Sequence, residues 1–102
     1  LGTFPGAATD AVDEAYAEIV ARAACGGINV FDTAAHYRYG RSMRALGAGL
    51  RRAFAAGVTR EQVFVVGKGG FLAFEDRPPK DLEQWFDARI AARGLGTRSD
   101  LA

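Results

Sequence analysis

The chain has one cysteine, one histidine, one methionine, one tryptophan and three prolines in 102 residues. A single cysteine makes no internal disulfide, so a cystine-stapled secreted scaffold is excluded and a reducing, cytoplasmic setting is the expectation. An excess of either charge is missing too. Thirteen basic against 12 acidic side chains leave a net charge of +1, which argues against an electrostatic binder of nucleic acid or of a membrane surface. No run approaches the roughly 18 apolar residues of a membrane span, and no charged-then-apolar leader is present, so no membrane partner is expected. Large apolar side chains are also in short supply. The apolar share is 49 %, but much of it is alanine, which buries little area per residue, so the larger residues must be well placed. The length suits one compact domain and is too short for two. The chain opens on Leu1-Gly2-Thr3-Phe4 without an initiator Met and stops at Ser99-Asp100-Leu101-Ala102. Both ends look cut, and the expectation is a piece of a longer protein.

What is present alternates between two periods. Thr9 and Asp10 offer a helix cap, and Val12, Ala15, Tyr16, Ile19, Val20, Ala23 and Ala24 recur at three- and four-residue steps until Gly26-Gly27. Ile28-Asn29-Val30-Phe31-Asp32 is a short strand-forming run ending on a carboxylate. After a polar and aromatic loop from Thr33 to Gly40, Ser42 is a fair cap for a helix that buries Leu46, Leu50, Ala53 and Phe54 and stops at Gly57. Val63-Phe64-Val65-Val66-Gly67-Lys68 is the most strand-like stretch. Gly69-Gly70 and Pro78-Pro79 bracket a loop, and Leu82, Phe86 and Ile90 mark a third helix closed by Gly94. Strands separated by helices in this order predict an α/β class with parallel strands and helical crossovers. Such a sheet wants both faces covered and both edges protected, so the chain reads as needing the rest of its sheet.

In parallel α/β folds, functional groups collect at the carboxyl ends of strands. Asp32 ends one strand, Tyr37 follows in its loop, and Lys68 ends the next strand. Alternation puts Val30 with Asp32 and Val66 with Lys68, so acid and amine can pair if those faces coincide. Lysine is rare here, two against eleven arginines, and its place at the end of an apolar strand looks selective. An ammonium beside a phenol favours the ionised phenol, and a carboxylate holds the ammonium in place. The trio is thereby a plausible proton donor. Each member has a plainer role available: a cap for the aspartate, a solvent-facing end for the lysine, packing for the tyrosine. Tyr39 competes with Tyr37. The combination is what favours chemistry.

Gly2-Thr3, then Gly27-Ile28-Asn29-Val30-Phe31-Asp32-Thr33-Ala34-Ala35-His36-Tyr37, then Gly40-Arg41-Ser42 with Leu46-Gly47, then Val63 through Lys68 together resemble the aldo-keto reductase superfamily over about residues 1 to 70. The resemblance implies the first three strand-helix units of a (β/α)8 TIM barrel, with residues 1–102 forming the amino-terminal part of one barrel domain and no second domain. It implies an oxidoreductase that uses NADPH to reduce a small-molecule aldehyde or ketone. Tyr37 would be the general acid, supported by Lys68 and Asp32. Gly2, Thr3 and Asp32 would lie along the cofactor, and Phe4 and His36 along the substrate pocket. The alternative it leaves is a non-catalytic, nucleotide-binding accessory subunit of the same fold.

The chain departs from the family pattern at several points. Met43 stands where a Glu commonly follows the Ser, the catalytic His after the fourth strand has no counterpart, and the basic loop for the 2′-phosphate is missing. His36 does not fill the missing histidine's role. Other motifs fail. Gly67-Lys68 lacks the Ser or Thr of a P-loop, no G-x-G-x-x-G follows a strand, and Asp32-Thr33-Ala34 lies among helix patterns that contradict an all-β aspartic protease. Cys25 has no basic neighbour close in sequence and reads as a small packed residue. Trp85 and Phe86 read as packing for the third helix. No metal is expected, and the oligomeric state is open.

Overall fold

A computed structural model describes residues 1–101. The elements follow the predicted order: α1 (Asp10–Cys25), β1 (Val30–Asp32), α2 (Arg41–Ala55), β2 (Phe64–Val66) and α3 (Leu82–Ala92), with 3-10 turns at Tyr37–Gly40, Arg60–Gln62 and Arg98–Leu101. The class is α/β. None of the described helices is long and apolar enough to cross a membrane.

The helix ends obey local chemistry. The Thr9 side chain accepts from the Val12 N–H, Asp10 and Asp13 sit in the first turn of α1, and Arg22 sits in its last, the charge arrangement the helix dipole favours. All three helices leave by one motif. The N–H groups of Gly27, Gly57 and Gly94 bond the carbonyls of Ala24, Phe54 and Ala91, and those of Ile28, Val58 and Leu95 reach back to Ala23, Ala53 and Ile90. This double bond pattern requires a left-handed residue at the first position, and the three glycines have φ of +97°, +107° and +65°, where a Cβ would be strained. Ser42 does not cap α2. Gly40 occupies that place without a side-chain bond, and Ser42, already inside the helix and fully buried, donates to the Thr3 carbonyl at 2.6 Å.

The core lies between α1, α2 and the outer face of the sheet: Val20, Ala24, Phe31, Leu46, Leu50, Ala53 and Val63. The abundance of alanine has its reason here. The buried residues of α1 are Ala17, Val20 and Ala24, and those of α2 include Ala45, Gly49 and Ala53, small residues at helical spacing that let the two backbones approach. A Cβ placed on Gly49 would lie 2.6 Å from the Ala17 carbonyl oxygen and 2.6 Å from the Val20 Cβ. The apolar face of α1 is rotated from the predicted one: Ile19 and Ala15 are exposed, and Ala17, Val20 and Ala24 face the core.

The sheet is smaller than predicted. β1 and β2 pair in parallel with Val30 opposite Phe64 and Asp32 opposite Val66. Before α1, where the three strand-helix units implied by the resemblance need a first strand, there is an isolated parallel bridge between Gly2 and Asp32, carried by Thr3 N–H to the Asp32 carbonyl and Asp32 N–H to the Leu1 carbonyl. Pro5 follows at once, and its missing N–H ends any ladder. The other two strands are also shorter than Ile28–Asp32 and Val63–Lys68, so Lys68 lies two residues past β2. Phe31 is fully buried against the helices, whereas Ile28, Val30, Phe64 and Val66 are 49 %, 47 %, 62 % and 43 % exposed. That face is open, and the opposite face is covered only over β1, since Val65, in register with Phe31, is also exposed. The radius of gyration, 16.4 Å, exceeds the roughly 13 Å of a compact domain of about 100 residues.

Candidate active site

Parallel pairing in register brings the carboxyl ends of β1 and β2 side by side, and this places Asp32 and Lys68 on the same face. The Lys68 ammonium donates to Asp32 Oδ1 and also to the Tyr37 hydroxyl oxygen at 3.0 Å. It lies 4.8 Å from the centre of the Tyr37 ring, and the Thr33 carbonyl is 3.5 Å away. The hydrogen bond to Asp32, and after it the one to Tyr37, hold the Lys68 amine above its ordinary value of 10.5. It therefore stays an ammonium across the physiological range. A phenol oxygen that accepts from this cation keeps its own proton for another partner.

Tyr37 opens the 3-10 turn after β1, its N–H bonded to the Ala34 carbonyl at 3.2 Å. Its ring meets Phe4 edge-on with centroids 5.1 Å apart and His36 at 4.9 Å. His36 in turn lies 4.9 Å from Phe71. Phe4 and His36 thus flank the phenol, and neither bonds its hydroxyl. Tyr39, the competing tyrosine, has no bond to Lys68 and instead lines a shallow groove with His36, Phe71, Leu72 and Phe74.

Gly2 and Thr3 have different surroundings. A Cβ on Gly2 would have nothing within 4 Å, so its backbone borders open space beside the partly exposed Asp32 carboxylate. Thr3 is fully buried, its hydroxyl 3.1 Å from the Asp32 carbonyl and 2.9 Å from Thr33 Oγ1. Its side chain holds the bridge. Trp85 packs edge-on against Phe74 at 5.0 Å, with the Arg89 guanidinium over its ring. Among the described residues no group of three His, Cys, Asp or Glu side chains is placed to hold a metal ion.

Sequence reading passed over Arg38. Its side chain is almost wholly buried, with Nε and Nη2 donating to the Ala7 carbonyl at 3.0 and 2.8 Å and Nη2 donating to Asp13. Burial raises Asp13, but the hydrogen bonds from Arg41 and Arg38 outweigh it and hold the carboxyl below its ordinary 3.8. An arginine between two tyrosines in a polar loop carries no periodic signal that could have announced this burial. Phe71 and the Thr3 carbonyl contact of Ser42 were hidden for the same reason.

Neither the curated proteins nor the solved structures contain a match to this chain. The family model described as the aldo/keto reductase family matches residues 1–92, a span that includes Asp32, Tyr37 and Lys68 and nearly the whole of the described fold. With nine-tenths of its length inside that match, the chain belongs to the aldo/keto reductase family.

Proposed function

We propose that this chain carries the proton-donating part of an NADPH-dependent carbonyl reductase, with Tyr37 as general acid and Lys68 and Asp32 as its support. The observation that carries the reading is the Lys68 ammonium bridging the Asp32 carboxylate and the Tyr37 hydroxyl. Family membership supports an oxidoreductase acting on small-molecule carbonyl compounds with a nicotinamide cofactor. The finer elements, NADPH as that cofactor, a cytoplasmic setting and a place as the first strand-helix units of an eight-stranded barrel, belong to this proposal.

The open space beside Gly2 leaves room for a cofactor, and the partly exposed Asp32 carboxylate can accept a hydrogen bond from a hydroxyl of it. Gly2 and Asp32 would border the cofactor. When bound, a reduced nicotinamide supplies hydride to the carbonyl carbon. The chain's own residues supply the proton. The Tyr37 O–H, free because Lys68 donates to the same oxygen, hydrogen-bonds the carbonyl oxygen of the substrate and releases its proton as negative charge develops there. The phenolate that remains is stabilised by the ammonium at 3.0 Å, and Asp32 keeps that ammonium from swinging into solvent. Phe4 and His36 against the Tyr37 ring, with Phe71 beyond His36, give this end of the sheet an aromatic character that suits an apolar substituent on the carbonyl carbon.

The test is loss of NADPH absorbance with a panel of aliphatic and aromatic aldehydes in the whole natural protein. Turnover that requires Tyr37 supports the reading. Tight nucleotide binding with no turnover of any carbonyl compound would replace it with the non-catalytic accessory subunit.

A further inference from the structure

Tyr37 is half-buried, its ring against Phe4, His36 and the Lys68 ammonium. Phe4 is two-thirds exposed, His36 is the adjacent residue, and the phenol's one bond inside the chain is to a flexible lysine. The backbone directly after Tyr37 is unusual. Arg38 and Tyr39 both lie in the left-handed region, with φ of +50° and +57°, which residues with a Cβ seldom adopt and which two in succession adopt only where the surroundings impose it.

The surroundings impose it through Arg38. Its guanidinium passes under the start of α1, where it bonds the Ala7 carbonyl twice, approaches the Thr9 carbonyl at 3.4 Å, pairs with Asp13, and stacks over the Tyr16 ring at 5.2 Å. Asp13 uses its second oxygen to accept from Arg41 Nε at 2.9 Å, so one carboxylate fastens both the turn and the first residue of α2. On the far side of the turn the Tyr39 carbonyl accepts from the Asp76 N–H at 3.0 Å, and Asp76 pairs with Arg44. Tyr37 is thus the residue immediately before a turn that is clamped at both sides.

We propose that Arg38 is a positioning residue for Tyr37: its buried guanidinium, held by Asp13 and the Ala7 carbonyl, fixes the left-handed turn that presents the Tyr37 hydroxyl to Lys68 and to substrate. The catalytic part of this inference rests on Tyr37 being the proton donor; the geometric part does not. A lysine at this position would not substitute, because a point charge cannot bond Ala7 twice and Asp13 at the same time.

The experiment uses Arg38→Gly in the whole natural protein, since glycine accepts the left-handed backbone without strain and the variant removes the clamp alone. The expected result is a fall in kcat of about 10²-fold with the KM for cofactor unchanged, the size that misplacement of a reacting group produces. Low, non-denaturing guanidinium should restore part of kcat, and ammonium at the same concentration should not. A second readout does not need activity. In protein labelled with carbon-13 in its tyrosines, Lys68→Met shifts the Tyr37 ring signal in the parent and leaves it unmoved when Arg38→Gly is already present. Retention of both kcat and the Lys68-dependent signal in Arg38→Gly would overturn the proposal and reduce Arg38 to scaffolding. If the parent reduces no carbonyl compound, the reductase reading fails and the ring signal alone decides the role of Arg38. Should Arg38→Gly not fold, Asp13→Asn, which leaves both Ala7 bonds in place, is expected to weaken the same signal, and an unchanged signal there would also overturn it.

Discussion

At the scale of single residues, the site consists of one cation shared by two oxygens. Tyr37→Phe removes the transferable proton and nothing that borders Gly2, so turnover is expected to fall by about 10²–10⁴-fold, the usual worth of a general acid, with cofactor affinity retained; steady-state kinetics beside a binding titration checks both. Lys68 carries a pH signature of known sign. Its amine is raised above 10.5, first by Asp32 and then by Tyr37. The stabilisation is therefore complete below pH 10.5 and is lost as pH rises through the raised value. Asp32→Asn takes away the larger cause, so the alkaline loss of thermal stability is expected to be smaller and to be complete at lower pH, its onset near pH 10.5 unmoved, measured as Tm across pH 9 to 12. Asp13 has the opposite sign. Held below 3.8, it contributes fully above that value and progressively less as pH falls through its lowered one. Asp13→Asn is expected to flatten the acid limb of the stability curve below about pH 4.

At the scale of elements, the two long helices meet through their smallest residues. Gly49→Ala places a methyl group 2.6 Å from the Ala17 carbonyl oxygen, which is backbone and cannot rotate away. The helices must separate, at a cost of about 1–3 kcal/mol for overpacking, read as a lower denaturant midpoint with an unchanged slope. The element pattern was legible because caps and stops are local: Thr9, Gly27, Gly57 and Gly94 act within a few residues of themselves. The packing face of α1 was less legible. Periodicity marks every apolar residue alike, and the choice of Ala17, Val20 and Ala24 over Ala15 and Ile19 depends on what α2 offers opposite. Ser42 was misread for a related reason, its hydroxyl being claimed by the Thr3 carbonyl from a distant part of the chain.

At the scale of the molecule, the open sheet face dominates. Ile28, Val30, Phe64 and Val66 stand at 43–62 % exposure side by side on parallel strands, and apolar faces of this kind mark surfaces that associate. Residues 1–102 expressed alone are expected to self-associate and to leave NADPH unoxidised in the presence of simple aldehydes. Phe64→Lys, which puts a charge at the centre of that face, is expected to shift the population toward monomer in sedimentation velocity. A monomeric parent chain would show that the exposed face is tolerated as it stands.

The sequence by itself determined the order of the three helices and two strands, the glycine stops of the helices and which residues could meet as the trio, because stopping and strand formation are decided by neighbours along the chain, and because Asp32 and Lys68 share the alternation of their strands. Tertiary structure decided the rest. That the two strand faces coincide is a matter of parallel register, Val30 opposite Phe64, which no single strand contains. That Tyr37, and not Tyr39, meets Lys68 depends on how the loop after β1 folds against the end of β2. That Thr3 holds the bridge between Gly2 and Asp32, and leaves the space beside Gly2 open, depends on a contact between residues 29 apart. Contacts of that separation arise only when the chain closes on itself, and local pattern cannot encode them.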